Sequence, residues 1–338
     1  DLLEQLINLT GVSGNEHDVR NFIFKETKKY MKNVRVDTMG NIIAIRKGKR
    51  PAILFLAHMD EIGLMVRGIT HKGKMWISAL GGVDPHILLG QRVEVETKDK
   101  KKINGLITTN DVLNDLTLEK QIKIEDLYVY TGLDKKALEK KGVEIGSYIS
   151  FSSSCNFCTL GGTKEMIAGK ALDERIGCYV LLELMKELKT KNKVIFVFTV
   201  QEEIGLYGAK ASVFNLEPDY AIAVDVTGHD DEGETMMLGK GPALTIKDAE
   251  MLANQCLVQE IERVAKNLKI SLQREVSDHG TTDATSIFAA KGGIPSGVIG
   301  ISVANLHTTM GIACRTDIEQ IIKVLKGFLK DPPTKCWR

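Results

Sequence analysis

The sequence predicts an α/β fold with a small β unit inserted into it. Three observations predict it. First, the short continuous apolar runs at 52–57 (AILFLA), 194–200 (VIFVFTV) and 220–224 (YAIAV) suit strands covered on both faces, as in a parallel sheet. Second, helical segments with apolar stripes lie around those runs. Third, between Ile62 and about Thr163 that rhythm stops, and short strand candidates follow one another with turn signals between several of them. Closely spaced short strands argue for a small barrel or sandwich. The expected division is therefore an α/β unit of residues 1–61 and 164–338 and an inserted β unit of 62–163.

Each element has its reason. Residues 2–9 form a short helix and 11–14 a turn. Ser13 and Glu16 have capping-box spacing and open a second helix to about Met31. Strands follow at 34–36 and 42–45 around the turn 39–41. The strand 52–57 ends in the mostly polar run His58, Met59, Asp60, Glu61. In the β unit the strand candidates are 63–66, 75–78, 92–97, 103–108, 127–130 and 147–151, and only 135–141 reads as helix. The second α/β part opens on a helix at 173–188, apolar over a broad surface and so largely buried. The strand 194–200 follows, then 220–224, ending in Asp225. Leu257, Ile261, Val264 and Leu268 share one face of an amphipathic helix. Ile270, Leu272, Arg274 and Val276 share one face of a strand. Residues 282–290 read as a helix and 295–301 as a strand before His307. Thr316 and Glu319 have capping-box spacing for a last helix to about Lys330, which Pro332-Pro333 stops.

Composition excludes some classes of function. The 338 residues suggest two domains and carry a net charge of +1 with mixed signs, so there is no footprint for nucleic acid or an anionic membrane. No apolar run approaches the ~20 residues of a membrane span. The amphipathic start is unlike a signal peptide. The six cysteines, at 155, 158, 178, 256, 314 and 336, are scattered. Disulfide frameworks belong mainly to small secreted chains, so a reducing cytoplasm is expected. Cys155 and Cys158 form a CxxC with no second pair and no thioredoxin-like context. The segment 239–242 (GKGP) lacks the spacing of a phosphate loop and reads as a turn.

The chemistry concentrates at strand ends. His58 follows AILFLA, Glu202 and Glu203 follow VIFVFTV, Asp225 follows YAIAV, His307 trails the strand 295–301 by a short loop, and Asp173 opens the buried helix. Each is ordinary alone. The carboxyl edge of one parallel sheet is a shared location, however, so groups far apart in sequence can meet there. Two imidazoles with several carboxylates and no thiolate suit Zn²⁺, Co²⁺ or Mn²⁺. Five ligands exceed the three that one open catalytic zinc needs and fit two metals about 3.5–4 Å apart sharing one carboxylate. A further carboxylate is then needed to move the proton of an activated water. Adjacent residues in an extended chain point opposite ways, so Glu202 and Glu203 offer one residue for each task. His279 is a candidate for lining a substrate cleft, and Asp248 reads as a solvated helix-start carboxylate rather than a contact for a peptide amino terminus. His229 lies in a polar loop, and His17, His71 and His86 read as surface or structural residues.

Several ordered motifs together resemble one family. They are 58–63 (HMDEIG), 170–177 (KALDERIG), 200–205 (VQEEIG), 224–227 (VDVT) and 280–284 (GTTDA), with Gly81-Gly82 and 91–93 (QRV) in the insert. The whole chain is similar to the TET-type metallo-aminopeptidases, whose members are often labelled endoglucanases. The resemblance implies a zinc-peptidase type of fold: a mixed, largely parallel sheet flanked by helices, with an inserted small β-barrel. It implies that His58 and Asp225 hold one metal, Glu203 and His307 the other, and Asp173 bridges them. Glu202 would be the general base and acid, and Asp60 would orient the His58 imidazole. It also implies homo-oligomers through the inserted unit, commonly dodecamers built from dimers, acting on short peptides inside a chamber.

Two departures from the family pattern stand out. Asp173 is followed by Glu174 where the family has a second Asp, which keeps the charge. The segment 302–309 (SVANLHTT) lacks the Arg of the family's Pro-x-Arg-Tyr, which removes a cation from the substrate wall and weakens a preference for acidic residues. Two other readings remain. A glycosidase would use Glu202 and Glu203 roughly 5–9.5 Å apart, without metal. A non-enzymatic, metal-binding scaffold that holds peptides would need the same ligands but not Glu202.

Overall fold

The computed structural model describes residues 1–110, 122–151, 157–230, 232 and 235–336. The strands sort into two sheets that meet at one edge of the site. Before the barrel come α1 (Leu2–Asn8), α2 (His17–Lys28), β1 (Asn33–Val36), β2 (Ile42–Arg46) and β3 (Lys49–His58). The barrel is β4 (Gly63–Ile69), β5 (Met75–Leu80), β6 (Arg92–Glu96), β7 (Lys102–Thr109), β8 (Leu127–Tyr130) and β9 (Tyr148–Phe151), with α3 (Lys135–Lys140) between the last two. It closes in the order β4-β5-β8-β7-β6-β9, antiparallel throughout. Alternating side chains such as Leu64, Val66, Val93, Val95 and Ile149 fill its interior, as a six-stranded closure requires.

After the barrel come β10 (Cys158–Thr159), β11 (Met166–Gly169), α4 (Leu172–Lys186), β12 (Asn192–Thr199), α5 (Tyr207–Ser212), β13 (Tyr220–Gly228), β14 (Ala243–Lys247), α6 (Gln255–Leu268), β15 (Gln273–Val276), α7 (Asp283–Phe288), β16 (Ser296–Ala304), β17 (Gly311–Cys314) and α8 (Arg315–Lys330). The main sheet runs β1-β2-β12-β3-β13-β16-β17-β11-β10, with β14 and β15 branching from β16. Its centre, β12-β3-β13-β16, is parallel, and its flanks are antiparallel. The continuous apolar runs are explained by burial on both faces. Phe55, Phe196 and Ile222 pack under α4 and its neighbours, whereas Leu54, Ile195 and Ala221 pack on the opposite face near α5 and α7. Parallel register then carries the ends of β3, β12 and β13 to one edge, and β16 leads to His307 there.

Several expectations fail for local reasons. Neither capping box forms. Glu16 is itself the N-cap of α2 and makes no side-chain cap bond, while Ser13 Oγ donates to Asp60 Oδ2 at 2.5 Å. Helix α8 begins at Arg315, one residue before the expected Thr316 cap. β15 starts only at Gln273, since Ile270 and Leu272 pack against the core ahead of it. The strands β10, β11, β14 and β17 and the helix α5 were not expected. They are two to six residues long, too short for periodicity to register. Gly239 and Gly241 form a plain turn, their N–H groups donating to Asp317 at 2.8 and 2.9 Å. No helix among the described residues is long and apolar enough to cross a membrane.

The cysteine reading needs correction. Cys256 and Cys336 form a disulfide that ties the C-terminal tail to the start of α6, against the expectation of a chain kept reduced. Cys155 lies outside the described residues, and Cys158 is free and exposed. The bond closes a span of 80 residues. A closed loop of that size limits the unfolded chain, so reduction should lower the unfolding free energy by about 2–4 kcal/mol. Urea titrations with and without a thiol reductant measure this, and Cys256→Ser should abolish the difference between them.

Candidate metal centre

The site is assembled where the central strands end. His58 is the last residue of β3 and is 2% exposed. Its Nε2 lies 3.0 Å from Asp173 Oδ1 and 3.9 Å from Glu202 Oε2. Asp173 sits in the first turn of α4, and its other oxygen, Oδ2, lies 3.1 Å from His307 Nε2. The His307 Nε2 is also 3.5 Å from Glu203 Oε2. Ligand atoms of His58, Asp173 and Glu203 lie within 4.8 Å of one another, as do those of His58, Glu202 and Asp225 and those of Asp173, Glu174 and Asp225. All six residues expected at the centre of the site are thus brought together, and Asp173 touches both imidazoles.

Asp60 holds the backbone of this edge. It is fully buried, and its carbonyl oxygen lies 3.2 Å from His58 Nδ1, with Oδ1 at 3.5 Å. Its carboxylate also accepts the N–H groups of Glu202, at 3.1 Å, and Glu203, at 3.3 Å. One buried residue thereby holds an imidazole through its carbonyl and both glutamates through its carboxylate. Separation of the glutamates does not come from strand pleating. β12 stops at Thr199, Gln201 has φ +54°, and the two glutamates lie in the turn that leads to α5. Ala171, Asn305 and His307 also have positive φ, at +50°, +56° and +57°. These non-glycine residues hold a left-handed backbone, which costs energy, around the clustered side chains.

Burial and crowding set the charges. Burial pushes Glu203 up to about 8, with Asp173 adding to it, and burial pushes Asp225 up to about 8 against the pull of His58. Burial likewise raises Glu202 well above the carboxylate range. Asp173 is the exception, for hydrogen bonds with His307 and His58 outweigh its burial and hold its pKa below the ordinary value. The hydrogen bond to Asp173 raises His307 to about 9, and the carboxylates around His58 raise it despite burial. Buried atoms Glu203 Oε1 and both oxygens of Glu174 have no hydrogen-bond partner. Orphaned buried oxygens beside two imidazoles are what a divalent cation would satisfy, and the N and O donor set suits Zn²⁺, Co²⁺ or Mn²⁺.

A family model described as M42 glutamyl aminopeptidase matches residues 40–324. The chain belongs to that family. It is a peptide hydrolase. A lysyl aminopeptidase of Pyrococcus furiosus is 32% identical over 98% of this chain and 96% of its own length. The crystal structure of a TET aminopeptidase from a marine-sediment Thaumarchaeota archaeon superposes with a TM-score of 0.92 at 31% identity, covering 98% of this chain and 96% of that one. A TET1 peptidase of Pyrococcus horikoshii, described as able to assemble into a tetrahedron or a large octahedral shell, gives 0.88 at 29% identity over 98% of both chains.

Against the M42 frame, the departures take on structure. Glu174 stands at the centre of the site, clustered with Asp173 and Asp225. It is fully buried, and burial with the neighbouring Asp225 raises its pKa well above the usual range. Its carboxyl fits only because residue 177 is glycine, where a Cβ would fall 1.6 Å from Glu174 Oε1. Gly82, in the barrel, approaches His307 in the same way, a Cβ there falling 2.7 Å from Nδ1. The connection from β5 to β6 thus reaches the site. Asp283 was missed as an individual residue. It is buried, receives the Thr199 hydroxyl and is pushed by burial to about 6. Its position inside GTTDA was the only available signal. His279 is exposed, and none of the site clusters contains it. Asp248 is buried and caps the backbone of Glu250 and Met251, at 2.8 and 2.6 Å, rather than standing solvated at a helix start. A partly open cleft adjoins Asp173, Glu203 and His307, walled by Phe151, Leu172, Val303 and Leu306. The segment 302–309 contributes Val303, Asn305, Leu306, His307 and Thr308 to that wall, and no lysine or arginine.

Proposed function

We propose that this site holds two divalent metal ions and removes N-terminal residues from short peptides. The observation that carries the reading is Asp173, with one oxygen 3.0 Å from His58 and the other 3.1 Å from His307. His58 and Asp225 would hold one ion, Glu203 and His307 the other, and Asp173 both. When bound, such a pair supplies Lewis acidity and a water of lowered pKa. Glu202, which is not among these ligands, takes a proton at its carboxylate and returns it to the leaving amine. Asp60 keeps His58 and the Glu202 backbone in place for that transfer.

Metal removal tests the reading. A panel of aminoacyl-anilides should be turned over with added Zn²⁺, Co²⁺ or Mn²⁺, lose at least about 10³-fold in rate on chelation, and recover on metal return. Turnover untouched by complete metal removal would sink it. The glycosidase reading leaves His58 and His307 without a task and expects no effect of chelator. A scaffold would bind metal and turn over nothing.

The same proposal divides the chain into a catalytic unit of 1–61 and 164–338 and an inserted unit of 62–163. In support, all six barrel strands lie between Gly63 and Phe151, while among the described residues β10 (Cys158–Thr159), at the end of the inserted range, already pairs with the main sheet. Assembly would run through the barrel to a dodecamer built from dimers, an expectation the similar TET1 structure supports. Native mass spectrometry of the full chain should show a multiple of two subunits, and a monomer would refute it.

A further inference from the structure

We propose that Glu275 forms the subsite for the side chain of the released residue and selects a cationic one, lysine or arginine. This rests on the aminopeptidase reading above. Asp225 and Thr227 are two apart on β13 and so point to the same face of the sheet. That face, shared with Ala223, is the one on which Ala284 of α7 and Met251 pack. The Thr227 hydroxyl donates to Glu275 Oε1, and the Thr245 hydroxyl donates to Oε2 at 2.5 Å. The Glu275 carboxylate is therefore held from across the sheet, on the face that carries Asp225. Thr227 stands roughly 7 Å along the strand from Asp225, comparable to the reach of an extended lysine side chain.

The fixing is by neutral donors only. Both oxygens are oriented, and neither is neutralised. Among the described residues no cation pairs with Glu275. Nearby Lys247 is committed to Asp278 at 2.7 Å and to the carbonyl of Ser277 at 3.1 Å, and Arg274 to Glu262 at 2.6 Å. Glu275 is partly buried. Two hydroxyls could serve merely to join β13, β14 and β15. A neutral side chain would do that equally well, whereas a partly buried carboxylate without a counter-charge carries a desolvation cost. A substrate ammonium or guanidinium supplies the missing charge, and the pre-set oxygens favour it over a neutral chain of equal length.

The test uses the metal-loaded full-length enzyme and lysyl-, arginyl-, leucyl- and glutamyl-p-nitroanilides. Wild type should prefer the two cationic substrates over leucyl by about 10- to 100-fold in kcat/KM. Glu275→Gln should reduce the lysyl-to-leucyl ratio by a similar factor, and Glu275→Lys should raise the glutamyl-to-lysyl ratio. Inhibition of wild type by lysine amide against norleucine amide gives the same comparison without any variant, and lysine amide should bind more tightly. A wild type that prefers leucyl or glutamyl substrates overturns the Glu275 assignment alone. So does a Glu275→Gln enzyme with unchanged circular dichroism and an unmoved ratio. Failure to cleave any anilide with any metal overturns the aminopeptidase reading and this inference with it.

Discussion

Glu202→Gln should keep its metal and lose activity by about 10²–10⁴-fold in kcat. The substitution keeps the size of the side chain and leaves the backbone N–H on Asp60 Oδ1, at 3.1 Å, untouched. What it removes is a carboxylate that can carry a proton. Burial raises Glu202 above the carboxylate range, and His58 opposes the shift. Loss of transfer in both directions should appear in kcat with KM little changed. The check is steady-state kinetics together with metal content by mass spectrometry. Full turnover in a metal-replete Glu202→Gln enzyme would remove Glu202 from the chemistry.

Asp173→Ala should be the most damaging change at the site. It removes the one carboxylate that meets both imidazoles, at 3.0 and 3.1 Å. The expected result is loss of at least one metal ion per chain and a fall in kcat/KM of about 10³-fold or more, the several kcal/mol such a centre supplies. Folding should survive. Removing Asp173 takes the shared carboxylate from His58 and His307 while easing the crowding around Glu203 and Asp225, so the two effects oppose each other and circular dichroism checks the fold. Equilibrium dialysis against Zn²⁺ measures the ions per chain. Two ions retained would show that Asp173 does not bridge them.

Much of this was legible from residues alone. Short apolar runs with no polar alternation suit strands buried on both faces, and 52–57, 194–199 and 220–224 proved to be so. All six barrel strands were placed within three residues at each end, because turn residues separate several of them and each carries enough β-formers to register. Short flanking strands such as Gly311–Cys314 were not, since four residues define no period. The two capping boxes failed because Ser13 has a better partner in Asp60, and that pairing cannot be read from local spacing.

By itself, then, the sequence determined which chemistry was available and that it would gather at one edge. Parallel strands share their carboxyl ends, so the residue types after each run declared the site. Tertiary structure decided what contact alone can decide: that Asp60 fixes both glutamates, and that Gly82 of the barrel closes on His307. It set Glu174 as a buried acid against Asp225, joined Cys256 to Cys336 and stood Glu275 on the face of Asp225. Each of these depends on distances of a few ångströms between segments far apart in the chain, which periodicity and propensity do not encode.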